Sequence, residues 1–123
     1  MDIAIVGATG NVGRKTLEVL QQKNLNIDNL YLVASPNSAG KQLEFNGKKY
    51  SIENLETYNF SKAKITFFAA GGKISEQYAE KAAKHTTVID NSSYFRMDPD
   101  VPLIVPQVNA KDIQNMKKNI IAN

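Results

Sequence analysis

The sequence predicts an α/β fold, a doubly wound and mostly parallel sheet with helices on both faces. Three observations predict it. Short apolar, β-branched runs alternate with segments of helical period. Turns rich in glycine and polar residues separate them. The first strand, turn, helix and second strand fit within residues 1–34, the compass of one strand–helix–strand crossover between parallel strands. A chain of 123 residues, 42% hydrophobic and 22% charged, has the size and composition of one ordinary soluble domain.

The elements follow in order. Asp2–Val6 is a buried-strand run ending at Gly7. From Val12 the period changes: Val12, Thr16, Val19 and Leu20 fall at i, i+4, i+7 and i+8, which predicts a helix with these residues on its inner face and Leu17 at the edge. Asn24 is the expected helix end. Leu30–Ala34 is a second strand, and Ser35–Lys41 is a loop by composition. Residues 42–58 predict one or two short strands, with Asn46-Gly47 turning between Leu43-Glu44-Phe45 and Tyr50-Ser51-Ile52. Ile65–Ala70 is a strand closed by Gly71-Gly72. Ile74, Tyr78, Ala79 and Ala82 give helical spacing over residues 74–84, and Thr87–Asp90 is a further strand. A polar loop covers Asn91–Pro102, Leu103–Val105 returns to strand, Asp112–Lys118 holds two helical turns, and Asn119–Ala122 is a last strand.

Fifteen basic residues against twelve acidic ones leave a net charge of +3. The lysines lie in small separated groups, Lys48-Lys49 and Lys117-Lys118 among them, with acids between, so no nucleic-acid surface is expected. No apolar run reaches membrane-spanning length, and the N-terminus reads as a strand rather than a signal peptide. A cytoplasmic location is expected. With no cysteine in the chain, a disulfide framework, a zinc finger and a thiol nucleophile are excluded within it, and no metal site is expected.

After the first strand comes Gly7-Ala8-Thr9-Gly10-Asn11-Val12-Gly13. Glycines in a strand–helix turn let the backbone bend sharply and approach a ligand without a Cβ in the way. The first amides of the helix lack internal partners and sit at its positive end, which suits a pyrophosphate. Gly7, Thr9, Gly10, Asn11, Val12 and Gly13 are therefore candidate cofactor residues of a Rossmann-type dinucleotide site, with Gly71 at the turn after a later strand. The alternative is a purely structural turn. A P-loop fails on spacing, and Arg14 stands where its lysine belongs. The loop after the second strand, Ser35-Pro36-Asn37-Ser38, has no carboxylate to meet a ribose 2′-hydroxyl. Hydroxyls, an amide and loop N–H groups there can donate to a 2′-phosphate, which favours NADP, with Ser35, Asn37 and Ser38 as its residues.

With those segments and the run from Asp90-Asn91-Ser92-Ser93-Tyr94-Phe95-Arg96 through Val105-Pro106-Gln107-Val108-Asn109, the chain resembles the N-terminal part of aspartate-semialdehyde dehydrogenase from end to end. The resemblance implies an NADP-dependent enzyme that reduces aspartyl phosphate to aspartate semialdehyde in the route to lysine, threonine and methionine. It implies that Thr9, Gly10, Asn11 and Val12 contact the cofactor, and that Arg96 binds the substrate phosphate; Asn91, a candidate substrate residue, and Ser92 stand where they can orient that loop or the substrate. Asn37 stands where the family commonly has an arginine for the 2′-phosphate, which removes one charge. Arg96 also suits the task by chemistry, since guanidinium is a permanently charged planar fork that grips phosphate through paired hydrogen bonds. A surface ion pair with Asp98 or Asp100 is its other reading. His85, the only histidine, reads as a surface residue at a helix end.

The family's chemistry needs a cysteine thiolate and a histidine acid/base, and neither has a matching position here. The cysteine follows an Asn-Pro-Asn-Cys-like run of which Asn123 matches the first residue. Residues 1–123 are thus expected to be an NADP-binding domain truncated before that cysteine, without the substrate and dimerisation domain. The fragment is expected to bind cofactor without turnover and to be monomeric, its parent a homo-oligomer. A stand-alone regulatory dinucleotide binder and N-acetyl-glutamyl-phosphate reductase remain as alternatives.

Overall fold

The computed structural model describes residues 1–103 and 118–123. The strands are β1 (Asp2–Val6), β2 (Asn29–Ala34), β3 (Gln42–Phe45), β4 (Lys48–Asn54), β5 (Ile65–Phe68), β6 (Thr87–Asp90) and β7 (Ile120–Ala122); the helices are α1 (Asn11–Gln22) and α2 (Gly72–Ala83). They form one seven-stranded sheet in the order β3-β4-β2-β1-β5-β6-β7. All pairings are parallel except the β3–β4 hairpin. That hairpin turns at Asn46 (φ 51°) and Gly47 (φ 76°), the two positive φ values a tight two-residue connection requires.

Chain order reverses at β1. From β1 the path runs through α1 to β2 on one side, and from β5 through α2 to β6 on the other, so each helix covers a different face. The period-two alternation of the strands splits the core accordingly. Ile3, Ile5, Leu32 and Ile52 pack with Leu17 and Leu20 of α1. Ala4, Val6, Val33, Phe68, Val88 and Ile120 pack with Ala79 and Ala82 of α2.

The inner face of α1 differs from the sequence expectation. Gly13, Leu17 and Leu20 are buried, whereas Val12 and Val19 are 52% and 38% exposed. Glycine sets the rotation. A Cβ on Gly13 would stand 2.0 Å from the Gly7 carbonyl oxygen, so only a glycine lets the helix sit directly on the turn. Once Gly13 faces the sheet, i+4 and i+7 bring Leu17 and Leu20 inward, and Val12, Thr16 and Val19 flank a groove with Phe67.

Other boundaries move little. β5 ends at Phe68 rather than Ala70, and α2 begins at Gly72. Leu103 makes an isolated parallel bridge to Ala122; Ile104-Val105, and the helical turns expected over residues 112–117, lie outside the described residues. Asn119, at φ 59°, donates through Nδ2 to the carbonyls of Ala83 (3.1 Å) and Thr86 (2.8 Å) and accepts from Thr87 Oγ1 (3.0 Å). One side chain thereby ties the end of α2 to β6 and β7.

Candidate cofactor site

The carboxyl ends of β1, β2 and β5 enclose a cleft of about 330 Å³, lined by Val6, Gly7, Thr9, Gly10, Ala34, Ser35, Leu55, Ala69, Ala70 and Ile74. It lies where the connections diverge to opposite faces, the place an open α/β sheet offers to ligands. Gly7 has φ +88°, and a Cβ there would meet the Ala69 carbonyl and the Ala70 side chain at 2.8 Å. A side chain at Gly7 would thus fill the floor of the cleft. Gly10 N donates to Gly7 O (3.1 Å), and the first helical bond runs from Arg14 N to Gly10 O (2.9 Å). The amides of Asn11, Val12 and Gly13 precede that bond and have no intrahelical acceptor. Gly10 is the N-cap without a side-chain bond, and the first turn holds no acidic residue, so nothing there competes with an anion.

The predicted residues divide. Gly7, Thr9, Gly10 and Ser35 line the cleft. Gly13 does not; it is buried beneath the turn, and its role is close packing rather than contact with the cleft. In the Ser35–Lys41 loop, Ser38 N bonds Ser35 O (2.9 Å) and Ala39 N bonds Pro36 O (3.3 Å). Asn37 is exposed and Ser38 half-buried on this turn, one step out from Ser35 and not among the lining residues.

Beyond the cleft, a smaller recess of about 100 Å³ is lined by Val12, Ala69, Gly71, Asn91 and Ser92. Asn11, Val12, Asn91 and Asn123 then line the adjoining groove beside α1. The three recesses share Ala69, Val12 and Asn91 as successive borders, so they form one track across the sheet top. Gly71, the N-cap of α2, has φ 91° and ψ 170°, a backbone region open essentially to glycine alone. Arg96 is exposed. Its Nη2 donates to the Asn123 carbonyl (3.3 Å) and Asn123 Nδ2 to Asn91 Oδ1 (3.3 Å), which brings Arg96 and Asn91 to the far end of the track. Asp98 instead pairs with Lys118 Nζ at 2.9 Å. That bond holds the Asp98 carboxyl below its ordinary value and the Lys118 ammonium above its own. His85 is exposed just past α2, as expected of a surface residue. Among the described residues no cluster of three metal-ligating side chains occurs, and no helix is long and apolar enough to cross a membrane.

A sequence family described as the NAD binding domain of semialdehyde dehydrogenase matches residues 2–116. The chain belongs to that family. It is 52% identical to the aspartate-semialdehyde dehydrogenase of Aquifex aeolicus, over 98% of this chain and 36% of that protein. It is 47% identical to aspartate-semialdehyde dehydrogenase 2 of Vibrio cholerae, over 99% of this chain and 37% of that protein. The solved aspartate semialdehyde dehydrogenase II of Vibrio cholerae, complexed with ASA, superposes with a TM-score of 0.96 at 47% identity, over 99% of this chain and 40% of the other. An aspartate semialdehyde dehydrogenase of Candida albicans, solved with NADP, shares the fold alone, with a TM-score of 0.74 at 23% identity over 98% of this chain and 41% of the other. The chain spans little more than a third of the length of the curated relatives it matches.

In this NAD binding domain, sequence reasoning missed Leu55, Ala69, Ala70 and Ile74 as cleft walls. They are ordinary core-type residues, and only the strand order brings them to β1. Arg14, which stands where a P-loop would have its lysine, donates from Nε to the Thr9 carbonyl at 3.0 Å and so braces the glycine turn from outside. Asn123 was also missed as a partner of Arg96; the contact links positions 27 residues apart.

Proposed function

We propose that this chain is the cofactor domain of an aspartate-semialdehyde dehydrogenase, one that takes aspartyl phosphate to aspartate semialdehyde and phosphate with NADPH. The observation that carries the reading is the cleft at the sheet reversal, bordered by Gly7, Thr9, Ser35 and Gly10, the N-cap of α1. The residues present fit a dinucleotide. A pyrophosphate finds the helix start without a competing carboxylate, and the adenosine end finds an apolar wall in Ala34, Leu55 and Ile74. Asn91 and Arg96, at the far end of the track, supply an amide and a guanidinium for the substrate and its phosphate. The reduced nicotinamide, when bound, supplies a hydride; the side chains of this domain bind and orient.

NADP is favoured over NAD because the loop beside Ser35 offers hydroxyls and an amide and no carboxylate. Asn37 brings no charge, so the preference is expected to be less than about tenfold, or 1.4 kcal/mol. The covalent step belongs to a cysteine, and this chain contains none, so the chain alone is expected to bind cofactor without turnover. The reading places the parent enzyme in the cytoplasm as a homo-oligomer. The relatives named above favour aspartate-semialdehyde dehydrogenase over N-acetyl-glutamyl-phosphate reductase. Calorimetric titration with NADP and NAD side by side tests the reading. Binding of both, NADP the tighter, is expected; a tighter NAD overturns the preference, and binding of neither overturns the cofactor assignment.

A further inference from the structure

Asp90, the last residue of β6, is fully buried, and the hydrogen-bond donors to its carboxylate among the described residues are uncharged. Oδ1 accepts from Ser75 Oγ (2.8 Å) and from Ser92 N (3.0 Å), and Oδ2 accepts from Ser92 Oγ (2.8 Å). A buried carboxylate is costly unless its lone pairs are occupied, and an apolar residue at this strand end would serve the core at lower cost. The bonds lead outward. Ser92 Oγ accepts from Tyr94 N (3.2 Å), which shapes the turn whose next residues reach Arg96. The Asp90 carbonyl accepts from Asn123 N (3.0 Å), and Asn123 in turn holds Asn91 and Arg96. The carboxylate's route through Ser92 and the main-chain route through Asn123 both end at the residues assigned to substrate and phosphate, and only the first depends on the Asp90 side chain.

The carboxylate's other partner residue, Ser75, points the other way. Ser75 lies in the first turn of α2, next to Ile74, which lines the cofactor cleft. One carboxylate therefore fastens the start of α2, beside the cofactor, to the loop that carries Asn91 and Arg96. We propose that Asp90 is a positioning residue, which sets the 91–96 loop against the cofactor cleft so that Arg96 meets the substrate phosphate at the right place. The inference rests on the assignment of Arg96 to phosphate.

The test uses the full-length enzyme carrying this domain, assayed in the oxidative direction with aspartate semialdehyde, NADP and inorganic phosphate. Ser92→Ala cuts the Oγ bonds to Asp90 and Tyr94 while leaving the buried carboxylate its other two donors. It is expected to raise the KM for phosphate about tenfold, as loss of a charge-assisted hydrogen bond does, with NADP affinity and melting temperature near those of the parent. Asp90→Ala is expected to do more, and Asp90→Asn, which keeps an acceptor for Ser75 Oγ and Ser92 N, to restore most of the phosphate affinity. Arg96→Ala serves as the control. If Arg96→Ala raises the phosphate KM and Ser92→Ala does not, the positioning role is overturned while the assignment of Arg96 stands. If Ser92→Ala weakens NADP and phosphate equally along with stability, Asp90 is a structural residue only and the proposal fails. If Arg96→Ala leaves the phosphate KM unchanged, the assignment of Arg96 falls and takes the proposal with it. Should Asp90→Ala fail to fold, Ser92→Ala decides.

Discussion

Two glycines three residues apart in the same turn are predicted to fail in opposite ways. Gly10 has φ −80° and ψ 174°, extended backbone that any residue adopts, and a Cβ there would have only Gly7 O nearby, at 3.6 Å. Gly10→Ala gives up a favourable N-cap, at a cost of about 0.5–1 kcal/mol. It gains about 0.4–1 kcal/mol from the reduced freedom of the unfolded chain. The two nearly cancel, and the melting temperature is expected to move by less than about 5 °C. The methyl, however, stands on the open side of the turn, where a pyrophosphate must come close to the backbone. NADP affinity should fall at least about tenfold, or 1.4 kcal/mol. Gly13→Ala is the reverse case. Its Cβ would lie 2.0 Å from Gly7 O and 2.8 Å from Ala8 Cα, both backbone atoms of the turn itself. Helix and strand must part by more than an ångström, at a cost of about 1–3 kcal/mol or more, and the melting temperature should drop by about 5–15 °C. Thermal melts and calorimetric titration with NADP read both effects. A Gly10→Ala protein with native stability and undiminished NADP affinity refutes the pyrophosphate placement; a Gly13→Ala protein that melts at the native temperature refutes the packing.

Further predictions concern the core. The rotation of α1 makes Leu17→Ala cost about 2–4 kcal/mol, whereas Val19→Ala should cost less than about 1 kcal/mol; denaturant titrations giving the opposite order would restore the face predicted from apolar spacing. Asn119→Ala removes bonds to two carbonyls and a hydroxyl at a residue with positive φ, and should destabilise by about 2–4 kcal/mol; a loss under about 1 kcal/mol would contradict the tie between α2 and β6. Tyr58 has a buried hydroxyl without a hydrogen-bond partner among the described residues, and burial, with the nearby Glu53 charge, pushes its phenol up from 10.0. A raised value means stability fully present below the unfolded value and lost as pH climbs above about 10. Tyr58→Phe should leave neutral-pH stability equal or raise it by up to about 1 kcal/mol and flatten that alkaline loss, which melts at pH 7 and above pH 10 will show.

The features legible in the sequence are those whose cause is local. Asn46-Gly47 announces the hairpin because two adjacent positive φ values are a demand on two adjacent residues. The glycine turn announces the cleft because a run of seven residues supplies both the bend and the free amides. The face of α1 was misread for a related reason. Apolar spacing ranks Val12 and Val19 inward, yet the residue that orients the helix is Gly13, which has no side chain to rank and acts only through its distance to Gly7. Asp90 shows the limit most sharply. Its strand is easily recognised and its carboxylate looks like a polar strand end, yet it is fully buried. Its partners come from α2 and from the following loop, and Asn123, whose amide its carbonyl receives, lies just past β7, a strand that pairs with β6 only after the connection through residues 91–119. No periodicity spans such a set. What binds it is the parallel order β5-β6-β7, which delivers three strand ends and one helix start to the same corner of the sheet. A site assembled by topology is read from the fold, and the glycine turn that the sequence reveals is one wall of it.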